Sequence, residues 1–136
     1  MPDPIADPAV AQRLLDRELV GVEIERLREI VAGREILVTV GGGSIGGRLA
    51  RLLAQHDVDG LTLLDHTERA VFWSGEVLME YAPGVPVRRG LGSVTDGGCV
   101  ERSVAEARPE WVFHAAAYKL VSRVEESPVA GAETTV

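Results

Sequence analysis

The sequence contains a single cysteine and a single lysine, and no asparagine, among its 136 residues. Cys99 alone cannot close an internal disulfide, and no Cys/His spacing suits a zinc site, so metal ligands are not expected and a reducing, cytoplasmic setting is. Aromatics are scarce, two each of Phe, Trp and Tyr, which leaves the core to Val, Leu, Ile and Ala. The longest uncharged run, Ile36 to Gly47, ends in glycines and falls short of the ~18 apolar residues a membrane helix needs. Met1 to Val10 is acidic and broken by Pro2, Pro4 and Pro8, with no basic stretch leading into an apolar one, so it does not read as a signal peptide. Positive charge is short as well: 14 Lys and Arg against 21 Asp and Glu leave a net charge of −7. That balance repels a phosphate backbone and argues against DNA or RNA as a partner.

What is present describes a globular chain. Hydrophobic residues make up 46% and charged residues 26%, enough apolar surface to bury a core and in length a single domain. After a proline-punctuated start, Val10, Leu14, Leu15 and Leu19 suggest a helical arm, and Ile24, Leu27, Ile30 and Val31 fall at helical spacing before Gly33, a suitable helix stop. Residues 1–33 therefore read as an N-terminal arm with an amphipathic helix, and 34–136 as a second unit. There the pattern changes to a continuous β-branched run, Glu35 to Val40, which reads as a strand buried on both faces. A helix with Leu49, Leu52 and Leu53 on one face follows, then a strand over Leu61 to Asp65 and a helix from the N-cap candidate Thr67 to about Tyr81, with Gly75 weakening its middle. Val85 to Arg88 reads as a short strand, Cys99 to Arg108 as a helix and Trp111 to Ala115 as a fourth strand, with a further helix beginning near Pro128. This alternation predicts an α/β fold: a Rossmann-like parallel sheet of about four strands.

The chemistry concentrates where the first strand meets its helix. Gly41, Gly43 and Gly46 form a Gly-x-Gly-x-x-Gly loop there, and Asp65 closes the next strand about 20 residues on, the spacing expected of a dinucleotide-binding unit. Glycines let the backbone turn tightly and approach a pyrophosphate, the helix N-terminus supplies N–H groups to the anion, and the carboxylate accepts from a ribose hydroxyl. NAD and NADP both remain open: Asp65 disfavours a 2′-phosphate, but Arg69 lies close enough along the next helix to receive one.

Several ordered segments resemble one family. Val38 to Gly46 (Val-Thr-Val-Gly-Gly-Gly-Ser-Ile-Gly) resembles the cofactor loop of extended short-chain dehydrogenases. Leu63 to Glu68, Gly92 to Asp96, Val112 to Lys119 and Val124 to Pro128 resemble, in the same register, the CapD-like polysaccharide-biosynthesis branch, the nucleotide-sugar 4,6-dehydratases. The resemblance runs from about Leu14 to the C-terminus. It implies a sheet of order 3-2-1-4 with NAD or NADP bound: Gly41, Gly43, Ser44, Ile45 and Gly46 at the pyrophosphate, and Asp65 and His66 beside the adenosine ribose. Ser93 and Val94 would flank the adenine, Ala115, Ala116 and Ala117 would pass under the nicotinamide-side ribose, and Lys119 would sit at the mouth of the substrate site. In intact relatives, it further implies, the cofactor takes a hydride from C4 of a nucleotide sugar, water leaves from C5 and C6, and the hydride returns at C6.

Three positions depart from the family pattern: Val40 stands at its first glycine, Leu120 at a usual histidine and Thr135 at a usual asparagine. A β-branched residue is uncomfortable at positive φ, so the Val40 side chain is expected to crowd the cofactor, while Gly41 restores the Gly-x-Gly-x-x-Gly spacing and leaves binding weakened rather than lost. The chain also stops before the segment that carries the family's acid and base, so the expectation is a truncated sheet with no catalytic residues, which leaves enzymatic activity of this chain open. The strand at 111–115 would then be an exposed edge, inviting self-association or a homo-oligomer through it. The leading expectation is the NAD(P)-binding N-terminal portion of a nucleotide-sugar dehydratase or epimerase, with a dinucleotide as partner and a nucleotide sugar in the intact relative. The alternatives are a non-catalytic nucleotide-binding or interaction module, and a truncated relic.

Overall fold

The structure, a computed structural model, describes residues 23–116 and 125–135. The expected arm before Glu23 lies outside the described residues. Helix α1 (Ile24–Val31) leads into β1 (Glu35–Thr39), then α2 (Ser44–Leu53), β2 (Gly60–Asp65), α3 (Glu68–Tyr81), β3 (Val87–Leu91), α4 (Gly97–Ala107), β4 (Trp111–His114) and α5 (Pro128–Thr135). All pairings are parallel, in the order β3-β2-β1-β4, with Ile36 beside Leu61 and Trp111, and Leu61 beside Val87. This is a Rossmann-type sheet of the expected order.

Alternation along the strands divides the core in two. Ile36, Val38, Leu61 and Leu63 point to one face and pack with Val31 of α1, Ala50 and Leu53 of α2, and Val71 and Leu78 of α3. The other face carries Leu37, Thr62 and Leu64, covered by α4: a Cβ on Gly90 would touch both Leu64 Cδ1 (3.2 Å) and Ser103 Oγ (3.7 Å). β2 is buried along its whole length, which is why its sequence is a continuous apolar run rather than an alternating one.

The largest shifts from the sequence expectation fall at β3 and α4. β3 begins at Val87 and runs to Leu91, because Pro86 has no N–H to donate and joins the ladder only through its carbonyl, which accepts from Leu61 N–H at 2.9 Å. Helix α4 starts at Gly97, two residues before the expected Cys99, because Asp96 caps it by accepting from Cys99 N–H at 3.2 Å. Gly75 does not break α3. A Cβ there would lie 2.3 Å from Arg89 Nε, so the glycine makes room for an arginine that crosses the helix to Glu76 (2.7 Å) and stacks over Phe72. On the opposite face of the sheet, Arg88 pairs with Glu35 across Gly60, and the hydrogen bond to Glu35, with its charge, holds the guanidinium above its ordinary pKa.

Among the described residues no strand pairs with the outer edge of β4, and Trp111 and Val112 are about half exposed. An unpaired apolar edge is a template for another chain. The expected result is concentration-dependent self-association in sedimentation velocity that Val112→Lys weakens without changing the far-ultraviolet circular dichroism; a chain monomeric at every concentration would count against the edge as a contact, and an association unaltered by the substitution would locate it elsewhere.

Candidate functional site

In a parallel sheet the chain reverses direction of winding at one point, here between β1 and β4, and ligands lie outside the carboxyl ends of the strands near it. Those ends frame a cleft of about 300 Å³ lined by Val40, Leu64, Asp65, His66, Gly92, Ser93, Val94, Thr95, Ala116 and Thr134. Five of the sequence-predicted residues thus meet around one space: Asp65, His66, Ser93, Val94 and Ala116. Gly41, Gly43, Ser44, Ile45 and Gly46 form the adjoining loop and first turn of α2, with Val40 between loop and cleft. Ala115 follows β4 beside it, whereas Ala117, Lys119 and Leu120 lie outside the described residues, as does the side chain of Thr135.

The loop is built around contacts that exclude side chains. A Cβ on Gly46 would lie 2.2 Å from the Val40 carbonyl oxygen, and one on Gly41 would lie 2.8 Å from Leu63 Cβ. Gly42, the unassigned middle glycine, is as constrained: its Cβ would meet Ala70 of α3 at 2.5 Å. The run of three glycines was the available signal for it. Helix α2 starts from Gly43 with no side-chain cap, so the N–H groups of Ser44, Ile45 and Gly46 stand at its positive end without a capping side chain.

Asp65 ties this loop to the sheet. Its side chain is only 3% exposed, and its two oxygens accept from different backbone donors, Oδ2 from Gly42 N–H (3.1 Å) and Oδ1 from Thr67 N–H (2.9 Å). Thr67 is the N-cap residue of α3, as its position in the sequence suggests, though its hydroxyl makes no capping bond. The neighbouring His66 is exposed, its Nδ1 3.5 Å from Asp65 Oδ1. Across the cleft, Ser93 Oγ meets Thr95 Oγ1 (2.8 Å) and accepts from Thr95 N–H (3.2 Å), which holds both hydroxyls at the cleft wall.

A second set of bonds fixes the β4 side, and it centres on a residue the sequence reading did not single out. Thr39 Oγ1 accepts from Ala115 N–H (3.0 Å) and lies 3.0 Å from His114 Nδ1. The other ring nitrogen, Nε2, faces the Thr134 carbonyl at 3.1 Å. A carbonyl only accepts, so in the neutral ring Nε2 carries the proton and Nδ1 accepts from the Thr39 hydroxyl. His114 is thus a satisfied structural histidine that joins β4 to α5. The signal for Thr39 is a hydroxyl at the carboxyl end of an otherwise apolar strand.

Among the described residues no cluster of three His, Cys, Asp or Glu is arranged to hold a metal, and no helix is long and apolar enough to cross a membrane. The family model described as polysaccharide biosynthesis protein matches residues 36–136. The chain is 28% identical over 116 residues to the capsular polysaccharide biosynthesis protein CapD of Staphylococcus aureus, covering 85% of this chain and 19% of that protein. It is 27% identical over 119 residues to the probable polysaccharide biosynthesis protein EpsC of Bacillus subtilis, covering 87% of this chain and 20% of that one. The chain therefore spans about a fifth of the length of these curated relatives. Among solved structures, Pen from Bacillus thuringiensis aligns with a TM-score of 0.67 at 22% identity, over 77% of this chain and 31% of that one. An NAD+-bound xylitol dehydrogenase aligns with a TM-score of 0.55 at 29% identity, over 65% of this chain and 35% of that one. With three quarters of its length matched by that family model, from the second residue of β1 onward, this chain belongs to the polysaccharide biosynthesis protein family.

Proposed function

We propose that this chain is the NAD(P)-binding portion of a nucleotide-sugar 4,6-dehydratase or epimerase-like enzyme of polysaccharide biosynthesis, with residues 34–136 as its cofactor-binding unit and the cytoplasm as its setting. The observation that carries this reading is Asp65: a buried carboxylate at the end of β2, bonded to the glycine loop and bordering a cleft that opens beside an uncapped helix N-terminus. A dinucleotide fits these residues. Gly46 has no room for a side chain against the Val40 carbonyl, which lets the first turn of α2 pack close to the end of β1, and the N–H groups of that turn would supply the donors to a pyrophosphate. Asp65 and His66 would receive the adenosine ribose, Ser93 and Val94 the adenine, and Ala115 to Ala117 the second ribose, with Lys119 toward the sugar. Bound NAD(P)+ supplies a hydride acceptor for a sugar carbon. The chain's own part is to hold that acceptor and orient it. The alignment with an NAD+-bound dehydrogenase supports the cofactor class.

The buried carboxylate of Asp65 would stand close to a 2′-phosphate and repel it, whereas Arg69, exposed in the first turn of α3, would oppose that. Calorimetric titration should accordingly show NAD+ binding more tightly than NADP+, and a UDP-sugar giving no heat. Absence of heat with all three ligands would overturn the reading and favour a chain that has lost the site.

A further inference from the structure

Val40 has a φ of +52°, a left-handed conformation that a β-branched residue adopts only under strain. It sits at the junction of the two halves of the site. On one side the residue borders the cleft that Asp65, Ser93 and Ala116 also line. On the other, Cγ1 fills the space over Gly43, where an added Cβ would come within 3.0 Å of it. Its carbonyl accepts from Gly43 N–H at 2.9 Å and lies against Gly46, so the backbone cannot swing the isopropyl group aside without unmaking the turn.

We propose that Val40 is a specificity-determining residue: its two methyl groups narrow the passage from the nucleoside end of the cleft to the N–H groups of Ser44, Ile45 and Gly46. A ligand that stops at the nucleoside never crosses that passage. A ligand carrying a pyrophosphate must cross it, and binds less tightly than the loop would otherwise allow. The inference rests on the dinucleotide reading above but concerns a different quantity, the ratio of two affinities.

The test is calorimetric titration of the full chain and of its Val40→Gly and Val40→Ala variants with NAD+ and with adenosine. Alanine removes both methyl groups and keeps the Cβ and the strained φ, whereas glycine removes the strain as well. Both variants should gain about ten-fold in NAD+ affinity, the scale of about 1.4 kcal/mol, with adenosine affinity changed less than about two-fold. A gain in glycine alone would assign the effect to backbone strain and overturn the steric role, and so would equal gains for both ligands or no gain at all. If no form binds either ligand, the dinucleotide reading fails and this inference with it; NAD+ binding with an unchanged ratio overturns the role of Val40 alone.

Discussion

Asp65→Ala is expected to cost about 2–4 kcal/mol of folding stability, taking roughly 1–3 kcal/mol for each part-buried donor left without an acceptor and discounting for water that enters from the cleft. The two donors are Gly42 N–H and Thr67 N–H, one on the glycine loop and one at the start of α3. Both elements are held to the end of β2 through a single side chain, so its loss loosens the loop against the sheet as well as removing a ribose acceptor. Asp65→Asn separates the two effects. Its amide oxygen still accepts from one donor, while its NH2 group confronts the other, so about half of the stability loss should remain. Dinucleotide affinity should fall at least ten-fold in the alanine variant, a difference of about 1.4 kcal/mol. Urea unfolding should register a lower midpoint with an unchanged slope. A midpoint equal to that of the wild type would mean that the loop is anchored by other contacts and that Asp65 has no structural part.

Much of this arrangement was legible from residue order. Glu35 to Thr39 and Leu61 to Asp65 are apolar runs too short for helices, and the glycines between them with a carboxylate at the end of the second run already implied a βαβ unit and its binding loop. The strand order followed from the resemblance and is the order observed. What stayed hidden depends on contacts between residues distant in sequence. In sequence Asp65 shows only as a candidate ribose acceptor; its bond to Gly42 spans 23 positions and makes it a structural tie as well. Thr39 reads as one more β-branched strand residue until β4 lies beside it and brings Ala115 and His114 to its hydroxyl. Gly75 looked like a flaw in α3 because the arginine that needs its space, Arg89, arrives from β3. Val40 is the reverse case: the sequence expected crowding there, and the positive φ carries it into the backbone.

Glycine substitutions offer a sharper test of the loop because the structure separates positions that need the missing side chain from those that do not. Gly46→Ala would place a Cβ 2.2 Å from the Val40 carbonyl oxygen, 2.8 Å from the Val40 carbonyl carbon and 3.2 Å from Gly41 Cα. All three neighbours are backbone, so no rotamer change relieves the clash, and α2 must shift away from the end of β1. Overpacking of this kind costs roughly 1–3 kcal/mol where side chains can yield, and a backbone contact belongs at the upper end of that range or beyond it. The same shift moves the N–H groups of Ser44 and Ile45 from the cleft, so stability and NAD+ binding should be lost together. Gly84→Ala is the counterpart. It lies in the turn before β3, has no neighbour within 4 Å of the added Cβ and does not occupy positive φ. There the loss of unfolded-chain freedom should raise stability by about 0.4–1 kcal/mol with NAD+ affinity unchanged. Chemical denaturation and calorimetry on the two variants side by side decide the matter. If Gly46→Ala unfolds with the wild-type midpoint and binds NAD+ equally well, the close approach of α2 to Val40 is not a requirement of the loop, and the cradle proposed for the pyrophosphate loses its physical basis.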